Sequence, residues 1–223
     1  GGLGITTIIM CGIFAASSGV VGAVEIVVGL MAIPAMMKNK YSKDLAAGTV
    51  CAGGSLGTTI PPSVVIIVYA SITEMSVGDL FAGIVIPAGV IVALFLIYII
   101  VRCAVQPSAG PGVDPSELQY SVGEKLWIAL TALFPAALLV VAVLGSIFAG
   151  IAAPTEAAAV GAVGAVILSI AYKQFSWQVL KEALKQTVKI TSMVMLIVIG
   201  GIFFASVFIV HGGDDLVAQI VEG

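Results

Sequence analysis

Apolar residues run through this chain in long continuous stretches, separated by short polar punctuations. Such runs predict helices that cross a bilayer, because a hydrocarbon core of about 30 Å takes about 20 residues at about 1.5 Å each. Residues 1–37 hold a single charged side chain, Glu25. The stretch is slightly short for two full crossings and a turn, and predicts a re-entrant helical hairpin bending at Ala16-Ser17-Ser18-Gly19. Residues 45–71 predict a transmembrane helix broken in its middle by Gly53-Gly54-Ser55-Leu56-Gly57-Thr58-Thr59-Ile60-Pro61-Pro62-Ser63. Proline removes an N–H and clashes with the preceding turn, so a Pro-Pro pair after three glycines ends the helix there. Residues 80–101 predict a further span, with Pro87 as a tolerated kink. Residues 102–125, with Pro107, Pro111, Gly112 and Pro115, predict an irregular connector. Residues 126–172 predict two transmembrane helices meeting at Ala153-Pro154-Thr155-Glu156. In 174–189, Trp177, Leu180, Leu184 and Val188 recur at helical spacing while Lys181, Lys185 and Lys189 take another face. That pattern predicts an amphipathic helix in the membrane interface. A last span follows over 190–210, then a truncated end over 211–223.

Composition turns these segments into a fold class. Hydrophobic residues make up 60% of the chain and charged residues 9%. Soluble domains carry about 25% charged residues, so this chain lacks the polar surface to face water and must take lipid as its solvent. A spanning β-barrel would alternate polarity over segments of about ten residues, whereas these runs are continuous. The expected class is an all-α polytopic membrane protein. Counting charges adds orientation. If residues 1–37 return to their starting side and the spans alternate afterwards, Lys38, Lys40, Lys43, Arg102, Lys125, Lys173, Lys181, Lys185 and Lys189 share one side. These are all 9 basic residues of the chain. Glu74, Asp79, Glu156, Asp214 and Asp215 fall on the other. The positive-inside rule then makes the basic loops 38–43, 102–125 and 173–189 cytoplasmic. Two full crossings in place of the hairpin give the same parity. Cys11, Cys51 and Cys103 lack CxxC spacing and read as small buried hydrophobes. The chain opens without an initiator Met inside an apolar run, which suggests a piece of a longer protein.

Candidate chemistry sits at the breaks. Backbone that leaves helical geometry at membrane depth exposes N–H and C=O groups, and survives only where protein or a watery cavity satisfies them. Half-helix N-termini offer donors to anions, while unwound carbonyls and hydroxyls suit Na⁺. Two breaks have that character. One is Ser17-Ser18-Gly19 at the hairpin tip. The other is 53–63, where Ser55, Thr58, Thr59 and Ser63 supply hydroxyls beside Gly53, Gly54 and Gly57. The competing structural explanation is close helix packing by small residues.

Three segments, FAASSGVVGA (Phe14–Ala23), LAAGTVCAGGSLGTTIPPS (Leu45–Ser63) and APTEAAAVGA (Ala153–Ala162), resemble the large membrane subunit of tripartite ATP-independent periplasmic (TRAP) transporters. The resemblance runs over nearly the whole chain, and IPPS with its preceding glycines is its most specific part. Val20 and Val21 stand where many members carry further serines. The resemblance implies an elevator-type secondary transporter of two inverted repeats, each with a re-entrant hairpin and a broken helix. This chain would hold the first repeat and the start of the second. It further implies Na⁺-driven uptake of an organic acid across the bacterial inner membrane. The implied partners are a periplasmic solute-binding protein and a small membrane subunit. Na⁺ is the coupling ion, and no tightly bound cofactor is expected. Carried onto this sequence, Ser17, Ser18 and Gly19 would face Gly53, Gly54, Ser55, Gly57, Thr58 and Thr59. The ion would lie near Ser18, Gly54 and Thr58, and Pro61, Pro62 and Ser63 would fix the break.

Other residues divide between roles. Glu25 is a carboxylate at membrane depth and so a functional candidate, or a partner for a polar group elsewhere. Glu156 at a helix start is a cap first, with a functional part left open by its motif. His211 reads as an interfacial histidine. An intramembrane serine protease would need a histidine at the depth of Ser18, and His211 is predicted at the outer surface; enzyme chemistry has no other constellation here. Nothing points to nucleic acid or to a metal-ligand cluster. An ion channel, or another carrier with a broken-helix Na⁺ site, is the alternative function, because broken helices also line pores.

Overall fold

In the computed structural model, residues 1–112 and 122–222 are described. Their regular structure is helical: α1 (Gly2–Ser18), α2 (Val21–Lys38), α3 (Lys43–Thr59), α4 (Val64–Thr73), α5 (Val77–Val105), α6 (Val122–Phe148), α7 (Pro154–Ala171), α8 (Trp177–Val210) and α9 (Gly213–Glu222). A short 3-10 turn, Pro107–Ala109, follows α5. By length and composition, five segments among the described residues can cross a membrane: Val21–Lys38, Lys43–Thr73, Val77–Val105, Pro154–Ala171 and Trp177–Val210. The molecule is an all-α polytopic membrane protein. Part of the connector expected over 102–125 lies outside the described residues.

The chain divides into two compact units, Gly1–Ala165 and Val166–Gly223. In the first, α3 packs against both α1 and α2. The core of that three-helix contact is Ile8, Cys11, Ala15, Val24, Val28 and Leu56, joined by Ile99 of α5. The spacing explains it: 8, 11 and 15 lie on one stripe of α1, and 24 and 28 on one stripe of α2. A second cluster holds the opposite end of these helices, where Met36, Tyr41, Leu45, Ala46 and Ala109 are buried together. Two hydrogen bonds fix the chain there. The Ser42 N–H donates to the Ala109 carbonyl at 2.9 Å, and the Leu3 N–H donates to the Tyr41 hydroxyl at 3.2 Å.

Local signals place the helix ends. Ser42 and Ser76 accept from the N–H groups of Leu45 and Asp79, each at 3.3 Å, and so cap α3 and α5. Pro87 lies inside α5 without ending it. Glu156 accepts from the Ala153 N–H at 2.9 Å, the reverse half of a capping box at the start of α7.

The second unit contains the 34-residue helix α8. Residues 174–189 and 190–210, which the sequence separates by their polarity, are joined in this one helix from Trp177. At about 1.5 Å per residue it is about 51 Å long, beyond a hydrocarbon core of about 30 Å. The lysine-bearing start therefore extends past the span. The end over 211–223 carries α9, and Phe204 stacks on Phe208 with ring centroids 6.1 Å apart.

Candidate functional site

The hairpin bends where the sequence places the bend. Gly19 follows α1 with φ +63°, in the left-handed region, and its N–H closes the helix onto the Ala15 carbonyl at 2.9 Å. Glycine takes this conformation without the Cβ clash that other residues meet. The interruption of the long segment is equally local. The Ile60 N–H makes the last α3 bond, to the Leu56 carbonyl at 2.8 Å. Pro61 and Pro62 carry no N–H, and α4 resumes at Val64 with Ser63 as its N-cap.

Tertiary packing joins these two features. A Cβ on Gly19 would lie 2.5 Å from the Pro62 carbonyl oxygen, so the tip rests directly on the break. The Val64 N–H points to the Gly19 carbonyl at 3.5 Å. The tip thus meets the long segment at its interruption, with the 10 residues of α4 continuing beyond.

The α3 glycines form the rest of the seam. Gly53 abuts Cys11 of α1, with a Cβ there only 2.5 Å from the sulfur. A Cβ on Gly54 would fall on the Glu25 side chain, and one on Gly57 would lie 2.9 Å from the Val20 carbonyl carbon. Close packing therefore is one role of these glycines. It also fixes where the hydroxyls go: Ser55, Thr58 and Thr59 lie on the same short stretch, outside the glycine contacts.

Each hydroxyl is held in a way that leaves acceptor capacity. Ser17 donates to the Phe14 carbonyl at 2.9 Å, Ser55 to Ala52 at 2.7 Å, and Thr58 to Ser55 at 2.9 Å. Thr59 lies 3.5 Å from the Ser55 carbonyl. A hydroxyl that donates its proton to backbone keeps lone pairs for a cation. Ser18 accepts from the Val20 N–H at 3.4 Å. Ser63 differs from all of these. It is fully buried, and its hydroxyl has no hydrogen-bond partner among the described residues. A buried unsatisfied hydroxyl is costly, and this one lies at the break.

Electrostatics follows from four helix ends. α1 and α3 end at the tip and the break, presenting carbonyls and the negative end of their dipoles. α2 and α4 begin there, presenting N–H groups and the positive end. Neither Val20 nor Ser63 makes a side-chain cap bond to the helix it precedes. Such a junction can hold a cation and an anion side by side. Among the described residues no group of three or more His, Cys, Asp or Glu could hold a metal ion; the oxygen groups near the seam are hydroxyls, carbonyls and the Glu25 carboxylate against Gly54.

The structure thus brings Gly19 onto Pro62 and Ser63, and seats Gly53, Gly54 and Gly57 against the hairpin, with Glu25 against Gly54; Ser17 and Ser18 stay exposed beside Gly19 and bond only within the hairpin, as Ser55, Thr58 and Thr59 bond only within α3. Glu156 binds the start of its own helix instead. Cys11, Val20 and Val21 complete the seam from the hairpin side. No polar signal marks those three in the sequence; the only hint is glycine at helical spacing opposite them.

Comparison with known proteins identifies a family. The family model for the DctM component of the tripartite ATP-independent periplasmic transporter matches residues 1–223. The C4-dicarboxylate TRAP transporter large permease protein DctM of Pseudomonas aeruginosa is 39% identical over 211 residues, covering 93% of this chain and 47% of that protein. The ectoine TRAP transporter large permease protein TeaC of Halomonas elongata is 32% identical, covering 92% of this chain and 47% of that protein. The sialic acid TRAP transporter permease protein SiaT of Haemophilus influenzae is 30% identical, covering 92% and 32%. The chain spans about half or less of the length of these relatives.

Proposed function

The chain belongs to the DctM family of tripartite ATP-independent periplasmic transporters, and from that premise we propose that it is part of a large permease subunit coupling Na⁺ entry to organic-acid uptake. The single observation that carries this reading is the hairpin tip seated on the Pro61-Pro62-Ser63 break, with the Ser63 hydroxyl buried and without a partner among the described residues. Carbonyl ends and hydroxyls of Ser18, Thr58 and neighbouring residues would hold Na⁺. The N-terminal ends of α2 and α4 would favour the carboxylate that travels with it. Binding of one charge beside the other lowers the cost of bringing either to membrane depth, which is a physical basis for coupling.

The protein would work in the bacterial inner membrane, with its basic loops in the cytoplasm. Its partners would be a small membrane subunit and a periplasmic solute-binding protein that delivers the substrate. The relatives' names carry three different substrates, so similarity does not select one, and the class proposed is an organic acid. The role proposed is transport and not catalysis.

The test uses the complete permease with its partners in proteoliposomes. Thr58→Ala and Ser18→Ala each should raise severalfold the Na⁺ concentration that gives half-maximal uptake. Unchanged Na⁺ dependence in both variants rejects the site. A steady Na⁺ current without substrate would reject coupled transport in favour of a channel.

A further inference from the structure

A groove of about 340 Å³ lies between α3, α5 and the 3-10 turn, away from the hairpin tip. Its floor is apolar, with Ile8, Leu45, Phe95 and Ile99, and its mouth is polar. Asp44 of the first turn of α3 and Arg102 of the last turn of α5 both line it. Among the described residues neither side chain makes an ion pair or a hydrogen bond, with each other or with anything else. Two opposite charges thus share one groove and remain apart. Thr49 lines the same groove, is 4% exposed, and its hydroxyl has no partner among the described residues.

We propose that this groove binds one zwitterionic phospholipid, with its phosphate toward Arg102, its ammonium toward Asp44 and an acyl chain along the apolar floor. Three observations select this occupant. The two charges match a headgroup that carries both signs. They sit at the ends of spanning helices, the level at which headgroups lie. The apolar lining residues Leu45, Phe95 and Ile99 belong to α3 and α5, both parts of segments able to cross a membrane, so an acyl chain has an apolar wall to lie along. Ser42 caps α3 through its oxygen and keeps its own proton for a phosphate oxygen. A lipid held here would join the start of α3 to the end of α5.

The experiment is native mass spectrometry of the complete permease in micelles with equal amounts of phosphatidylethanolamine and phosphatidylglycerol. Retention of phosphatidylethanolamine in preference to phosphatidylglycerol is expected. Arg102→Gln should reduce it about tenfold, as for loss of one charge-assisted hydrogen bond, and Asp44→Asn should abolish the preference. Thr49→Val keeps the side-chain shape, so it tests the hydroxyl without unfolding the helix; several-fold weaker retention is expected. Equal retention of the two lipids, or retention unchanged in all three variants, would overturn the proposal. So would displacement of the lipid by glycerophosphoethanolamine at matching concentration, which would make the ligand a soluble zwitterion. A photo-cross-linking side chain at Ser108 that captures another protein segment and no lipid would overturn it as well. None of these readouts depends on uptake, so they stand or fall apart from the Na⁺ site.

Discussion

Gly19 carries two demands at once, a left-handed backbone and contact with the Pro62 carbonyl oxygen. A side chain in that conformation costs about 1–2 kcal/mol before any clash. Gly19→Ala should therefore abolish uptake by the complete permease and lower its thermal midpoint in detergent; wild-type behaviour in both would show that the tip does not rest on the break. Gly54 makes a separate demand, since a Cβ there falls on Glu25. Overpacking of this kind costs about 1–3 kcal/mol. Gly54→Ala should be destabilised, and shortening the opposing residue in the Gly54→Ala/Glu25→Ala double variant should restore much of the loss. Thermal unfolding of the two variants checks this, and equal midpoints for both would deny the contact.

Among the elements, α7 shows how a motif residue can serve its own helix. Glu156 belongs to the segment that carries the family resemblance, yet its carboxylate accepts from Ala153 at 2.9 Å. Glu156→Ala should cost about 0.5–2 kcal/mol, the range for a lost helix cap, while leaving the Na⁺ dependence of uptake unchanged. Glu156→Gln retains the acceptor and should keep most of the stability. A shifted Na⁺ dependence with unaltered stability would return this residue to the transport site. The hairpin and the broken helix were legible as elements because glycine and proline act on their own backbones: Gly19 stops α1 and Pro61-Pro62 stops α3. The continuity of α8 was not legible. Its polar start and apolar end differ in solvent, and polarity reports solvent; helical hydrogen bonds pass through that change unaffected.

For the whole molecule, orientation is the property that charges decide. On the proposed alternation of spans, all 9 basic residues share one side. Single cysteines introduced in a cysteine-free permease at Glu74 or Asp214 should react with a membrane-impermeant maleimide added to spheroplasts. Those introduced at Lys40 or Lys173 should react only after the membrane is opened. The reverse labelling would invert the topology and move the basic loops outside.

The sequence by itself determined that this is a helical membrane protein and where its helices break, and it supplied the charge pattern from which the sidedness of the loops is proposed. Each follows from local chemistry: apolar runs need lipid, proline lacks a donor, and lysine resists crossing. It also supplied the hydroxyls and glycines of the candidate site. Only the tertiary structure decided that the hairpin tip sits on the Pro61-Pro62-Ser63 break, that Cys11, Val20 and Glu25 fill the space left by the glycines of α3, and that Ser63 is buried without a partner among the described residues. Those are contacts between residues far apart in the chain. Glycine signals that something approaches closely, and packing alone determines what does.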